Sequence, residues 1–360
     1  MKEFTVSSRE AGQRMDKYLF KILDCAPCSF VYKMLRKKNI TLNEKKASGK
    51  EILRVQDCIK IFLADDTFEK FASAVPEGRS KTECFGSGGG AGAPAGDSKP
   101  ASVAAGGDIA EEGDHADSDR ENAARAARIE VVYEDEDILV INKPAGLLSQ
   151  KAKAQDDSAN DRIIRYLTES GQITREELRT FHPSVCNRLD RNTSGLLIAG
   201  KTMHGLQKMA AQLKSRSVKK YYHALVWGNV VQPQYLCGFL VKDHKTNRVR
   251  LISENVNIGE AERIETSFTP LAHFGNSTLL EVHLITGKSH QIRAHLASVG
   301  HPLLGDPKYG DAALNRRLSR ETGIKRQLLH ACRIEFADGN IIRADEPEDF
   351  EKTERWMLSL

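Results

Sequence analysis

Apolar residues near the start of the chain recur at helical spacing. Met15, Tyr18, Leu19, Ile22 and Leu23 fall at i, i+3, i+4, i+7 and i+8, the stripe of an amphipathic helix. Pro27 ends that region, and Ser29 is placed to cap a second helix whose buried face is Val31, Met34 and Leu35. Residues 40–42 then read as a strand, Asn43-Glu44 as a turn, and Ile59, Ile61 and Leu63 alternate as a half-buried strand. Further on, 129–133 and 138–142 are short apolar strands. Lys143-Pro144-Ala145-Gly146 is a turn, and 160–167 has helical spacing. The run Leu196-Leu197-Ile198-Ala199 is apolar throughout, as a strand buried on both faces is. Strand-like runs at 221–227, 248–252, 264–269 and 278–285 follow with few helices between them. That order permits an α+β fold and argues against an alternating, doubly wound sheet.

The pattern fails over one long stretch. Residues 84–124 hold nine of the 27 glycines, eight acidic and two basic side chains, and few large apolar residues. Such a segment cannot bury enough apolar surface to offset its ordering entropy. It predicts three parts: a small N-terminal domain (1–74), a flexible linker (75–127) and a larger C-terminal domain (128–360). The net charge of +4 is then an average over unlike parts. The acidic stretch carries −6, leaving +10 elsewhere, and +6 of that lies in residues 30–54. A solvated face would carry such charge too. Here Arg36, Lys37 and Lys38 stand at a helix end and before a turn, where side chains meet phosphates.

No apolar run approaches the roughly 18 residues that span a bilayer. The first residues lack the apolar core of a secretory signal. A cytoplasmic, monomeric protein is expected, with no membrane contact. Seven cysteines do not suggest a disulfide framework. Cys25-Ala26-Pro27-Cys28 has no second pair nearby to complete a zinc site and reads as structural.

The N-terminal elements, through Arg14-Met15-Asp16-Lys17-Tyr18-Leu19, Ser29 to Lys38 and Ile40-Thr41-Leu42-Asn43, resemble the S-four-like RNA-binding domain. That family has glycine where this chain has Asn39 and Glu44, and asparagine tolerates the left-handed backbone such a turn needs.

Two readings compete for the segment Asn187 to Thr202. Gly195 to Thr202 satisfies G-x-x-x-x-G-K-T, a phosphate-binding loop, but its middle is the apolar strand, which is the wrong context. The other reading places the chemistry upstream. Asp190 lies between Arg188 and Arg191, and nearby cations favour an ionised carboxylate, a plausible nucleophile on a loop held by a strand. A surface Asp in a salt-bridged turn would look the same.

Asn187-Arg188-Leu189-Asp190-Arg191-Asn192-Thr193-Ser194-Gly195-Leu196 resembles the signature of the RluA-type pseudouridine synthases. Asn142 to Leu147, Lys220 to Gly228, Leu284 to His295, His301 to Asp306 and Leu328 to Ala331 resemble further motifs of that family, in family order. One residue departs: Asn187 stands where the family has His, and an amide cannot shuttle protons. The resemblance implies an α+β fold with a mixed, mainly antiparallel sheet. It implies isomerisation of uridine to pseudouridine with no cofactor and no metal. It also assigns Asp190 as nucleophile or charge stabiliser, Tyr222 as the aromatic that stacks on the flipped base and is a candidate for proton removal, and Arg293 as the cation paired with Asp190. Strand alternation turns Tyr221 to the other face.

Arg188, Arg191 and Lys288 at the site, with Arg36, Lys37 and Lys38, are the candidate RNA contacts. Lys214, Arg216, Lys219 and Lys220 could also reach phosphates. An S-four-like domain in front points to large-subunit ribosomal RNA. A transfer-RNA synthase, a non-catalytic RNA-binding protein and a phosphate-loop NTPase are the alternatives. His290 and His295, five apart, lack the spacing of a helical zinc pair. His290 and His330 read as structural.

Overall fold

The computed structural model describes residues 1–72, 129–243, 248–252 and 261–360. The linker expected at 75–127 lies outside these residues.

The first 72 residues form β1 (Lys2–Thr5), α1 (Met15–Ile22), α2 (Cys28–Arg36), β2 (Ile40–Leu42), β3 (Lys45–Lys46), β4 (Cys58–Ile61) and α3 (Asp65–Phe71). The four strands make an antiparallel sheet in the order β1-β4-β2-β3. The α1 stripe buries Met15, Tyr18, Leu19 and Ile22 in a core shared with Val31, Leu35, Ile40, Ile59 and Ile61. The cap expected at Ser29 is not used. Pro27 occupies the cap position with φ −58, so helical geometry begins at Cys28, one residue before Ser29. Asn43 and Glu44 both take positive φ, which lets β2 and β3 close a tight hairpin.

The rest of the chain forms β5 (Glu130–Glu134), β6 (Ile138–Lys143), α4 (Ala159–Glu169), α5 (Glu177–Thr180), β7 (Ser184–Val185), β8 (Ser194–Gly200), α6 (Met203–Lys214) and β9 (Lys219–Trp227). There follow β10 (Gln234–Asp243), β11 (Arg248–Ile252), β12 (Glu262–Phe274), β13 (Ser277–Leu284), α7 (Gln291–Ser298), α8 (Ala312–Thr322), β14 (Leu329–Glu335), β15 (Ile341–Arg343) and α9 (Asp349–Leu358). They share one sheet, ordered β11-β10-β12-β13-β9-β14-β8-β6-β5, with β15 on β14 and β7 on β8. The only parallel pair among the described strands is β8 with β14. The sheet is therefore mixed and mainly antiparallel, as expected.

That parallel pair joins the two halves of the sheet, and it needs Gly195. Gly195 has φ +108, and a Cβ there would sit 2.3 Å from the Ala331 carbonyl oxygen. All seven residues of β8 are buried. This makes it the rigid base under the loop that precedes it.

Residues 1–72 pack directly on the larger sheet's helices. Arg9 pairs with Glu177 at 3.1 Å, and the Arg9 carbonyl accepts from Met203 N–H at 2.9 Å. Lys21 Nζ donates to the Thr180 carbonyl at 2.6 Å, while buried Glu10 accepts from the Thr180 hydroxyl. Residues 1–73 and 129–360 thus form one compact unit.

Candidate active site

The loop between β7 and β8 is tied down at almost every residue. Asn187 Oδ1 accepts from Ile198 N–H at 2.8 Å, so the departure from the family His is filled by an amide bonded into the neighbouring strand. Ser149 Oγ bridges both backbone polar groups of Leu189, at 2.9 and 3.0 Å. Gly146 N–H donates to the Arg191 carbonyl at 2.9 Å, and Arg191 Nε returns a bond to the Gly146 carbonyl at 3.0 Å. Lys143 is fully buried beneath this turn. Its ammonium donates to the carbonyls of Pro144, Leu147 and Arg191 at 2.8, 2.8 and 3.2 Å. Burial pulls its pKa down to about 7. A lysine in a Lys-Pro turn gives no local sign that it will be buried, and sequence reading assigned it no role.

Asp190 projects from this loop. The cation that meets it is Arg293, 103 residues on in α7, whose Nη1 donates to Asp190 Oδ2 at 2.7 Å. The flanking arginines do not. Arg191 is turned onto Gly146. Arg293 is 4% exposed, and its other two nitrogens bind Asp306 at 2.7 and 2.8 Å. Asp306 is fully buried and also accepts from the backbone N–H of Lys308 and Tyr309. Burial opposes the charge on each partner. The paired bonds outweigh it, holding the Asp306 carboxyl below, and the Arg293 guanidinium above, their usual ranges. No hydrogen bond among the described residues reaches Asp190 Oδ1.

Asp190, Arg293, Tyr222, Arg188, Lys288 and His290 line one hollow of about 50 Å³, walled by Leu284, Ile292 and Leu329. The same residues open into a cleft of about 860 Å³ that also takes in Arg191 and Lys220. Burial raises the Tyr222 phenol well above its usual pKa, so it stays protonated and is not available as a phenolate base, against the proton-removal role expected of it. Tyr221 does face the other way. It stacks on His283 at 4.7 Å under the Arg333 guanidinium, 3.9 Å from its ring centre. Lys288 is ion-paired with Glu262 at the cleft. Arg36, Lys37 and Lys38 are exposed at the end of α2 and do not line the cleft.

The phosphate-loop reading finds no support in these contacts. Residues 195–199 are strand, and Lys201 is committed to Glu134 at 2.6 Å and to the Asp135 carbonyl at 2.8 Å. Thr202 caps α6 and binds Asp137. His295 bonds Thr266, and His330 bonds Ser194 and the Ala344 carbonyl. Burial lowers both pKa values to about 4. His290 is not confined to structure: it reaches into the site, 3.9 Å from Asp190.

The family description "RNA pseudouridylate synthase" matches residues 137–298, which hold Asp190, Tyr222 and Arg293. Ribosomal large subunit pseudouridine synthase D of Pseudomonas aeruginosa is 32% identical over 66% of this chain and 73% of its own length. The chain belongs to the RNA pseudouridylate synthase family. Ribosomal large subunit pseudouridine synthase C of Pasteurella multocida is 28% identical over 97% of this chain and 91% of its own length. The solved structure of human RNA Pseudouridylate Synthase Domain Containing 4 shares the synthase fold, with a TM-score of 0.51 at 20% identity. That match covers 66% of this chain and 95% of that one. The family match ends before Asp306 and Tyr309, which bond Arg293 and His290 beside Asp190. Asp306 closes a motif noted in the sequence, but nothing local marks it as the partner of Arg293.

Proposed function

We propose that this chain isomerises uridine to pseudouridine in large-subunit ribosomal RNA. The observation that carries this is Asp190, held through one carboxylate oxygen by a buried arginine at the edge of an apolar hollow lined by Tyr222. The isomerisation breaks the N1–C1′ bond, forms C5–C1′, releases a proton from C5 and adds one at N1. It is redox-neutral and calls for no cofactor. Asp190 Oδ1 is the nucleophilic oxygen, Arg293 fixes the rotamer of the carboxylate, and Tyr222 lies against the flipped base. Leaving the stack costs a few kcal/mol, least in loops of folded RNA.

The relatives named for the ribosomal large subunit support a ribosomal substrate. Residues 1–74 act as an S-four-like RNA-binding domain, joined by the 75–127 linker to the catalytic domain at 128–360. Arg188, Arg191 and Lys288 hold RNA at the cleft. A monomer is the expected state. No helix among the described residues is long and apolar enough to cross a membrane, and a cytoplasmic site of action fits.

Incubation with large-subunit ribosomal and transfer RNA transcripts, followed by pseudouridine mapping, tests the reading. Product on ribosomal RNA is expected. Product on transfer RNA alone would move the substrate, and no product on either from folded protein would overturn the proposal. In the N-terminal domain, the triple change Arg36→Ala, Lys37→Ala, Lys38→Ala should weaken RNA binding. The slope of log affinity against log salt should fall by about 2, as three single-strand phosphate contacts are lost. An unchanged slope would place the RNA path elsewhere.

A further inference from the structure

A chain of polar groups runs up to Asp190 from behind, and the chemistry above leaves it unused. The backbone N–H of Val249 donates to the Tyr309 hydroxyl at 2.8 Å, and that hydroxyl lies 3.0 Å from His290 Nδ1. A backbone N–H can only donate, so the Tyr309 oxygen accepts from Val249 through one lone pair. We assign the hydroxyl's own proton to the bond with the imidazole. Nδ1 then accepts, which places the ring proton of a neutral imidazole on Nε2. Nε2 is the nitrogen that faces Asp190, 3.9 Å from Oδ2. His290 is held there at a cost: it caps α7 with φ 54 and ψ 15, a left-handed conformation that a non-glycine residue adopts only when its surroundings enforce it.

We propose that His290, oriented by Tyr309, is a positioning residue for Asp190. Its Nε2–H faces the oxygen that already accepts from Arg293, so two donors on one side hold Oδ2 and leave Oδ1 to the substrate. At 3.9 Å the contact is longer than a hydrogen bond, as catalytic contacts often are before substrate is bound. The charged and titratable groups facing the ring are Asp190, Arg293, Asp306, Lys308 and Tyr309. Burial is the largest influence and disfavours the imidazolium. Arg293 and Lys308 add to that, Asp190 and Asp306 oppose it, and the ring titrates below its usual value. A protonated ring carries N–H on both nitrogens and cannot accept from Tyr309. The relay is therefore intact only above the His290 pKa, and activity falls on its acid side.

The inference rests on the proposed isomerase reading, and the test separates the two. Tyr309→Phe keeps the ring beside Arg293 and His290 and removes only the hydroxyl. His290→Gln keeps an N–H donor without a titrating ring, and His290→Ala removes both. With the full chain and an RNA that the wild type modifies, His290→Ala and Tyr309→Phe should lower kcat by about tenfold to a hundredfold. KM should change much less. In His290→Gln most of kcat should return and the acid limb should disappear. The Tyr309 O–H bond to Nδ1 favours the neutral ring, so its loss should raise the His290 pKa and move the acid limb of Tyr309→Phe towards neutral pH. A loss in Tyr309→Phe that is uniform across pH, or wild-type kcat in His290→Ala, would overturn the proposal. Nitrogen-15 NMR of the imidazole gives a readout that needs no RNA. The Nε2–H tautomer is expected in the wild type, and the Nδ1–H tautomer would overturn the proposal. A wild type that makes no pseudouridine would sink the isomerase reading while leaving the tautomer result to decide this one.

Discussion

Asp190→Asn should abolish pseudouridine formation in a protein that melts almost where the wild type does. The substitution is nearly isosteric, and an asparagine oxygen can still accept from Arg293 Nη1. The buried guanidinium remains neutralised by its two bonds to Asp306. Asp190 itself is about a quarter exposed, so removing its charge leaves little desolvated charge behind. The expected stability change is below about 1 kcal/mol, or a few degrees in Tm for a protein of this size. The chemical loss is of another order. An amide has neither the charge nor the nucleophilicity of a carboxylate, and loss of a nucleophile typically costs about 10⁴-fold or more. Single-turnover mapping on a modified RNA, beside thermal denaturation of the same preparation, separates the two effects. A variant that kept the wild-type rate would remove Asp190 from the nucleophile's role.

Elements written in local patterns were readable in the chain. The α1 stripe and the apolar β8 run each declare their partner, water or core, within a dozen residues. The run expected at 278–285 appears as β13, within a residue at each end. The Asn43-Glu44 turn follows from two residues. What local patterns misjudged were partners chosen by tertiary structure. Charge near Asp190 in sequence pointed to Arg188 and Arg191, yet its cation comes from α7, and only the resemblance to family motifs placed Arg293 there. The insertion of β14 between β8 and β9 brings Ala331 against Gly195 across 136 residues, and no periodicity reports such a pairing. Lys143 and Asp306 were passed over because an ionisable residue is exposed by default. Their burial depends on carbonyls and a guanidinium that other segments supply. Asn187 shows the reverse: a departure from the family pattern that raised a question about proton transfer is met by one backbone bond to Ile198.

Arg293→Ala should cost stability as well as activity, by an amount that depends on pH. Arg293 is almost wholly buried, and its removal strands fully buried Asp306 with only the N–H groups of Lys308 and Tyr309. Breaking a buried pair from one side typically costs about 3–5 kcal/mol, here a Tm lower by roughly 10 °C. In the wild type the Asp306 pKa is depressed in the folded state. Its stabilisation is therefore present above the unfolded carboxylate pKa and is lost as pH falls through the folded value. Without Arg293 the sign reverses. Burial then outweighs the two remaining N–H bonds, the folded pKa of Asp306 rises, and the variant gains stability relative to the wild type as pH falls and the carboxyl takes up a proton. The Tm deficit should be smaller at pH 5 than at pH 8. Adding Asp306→Asn to Arg293→Met should recover much of the loss, because a neutral pair of similar volume replaces the ionic one and the asparagine oxygen keeps both backbone N–H donors. That double variant should still be inactive, since nothing then fixes the Asp190 carboxylate. A double variant that regained activity with stability would show that Arg293 serves the fold alone.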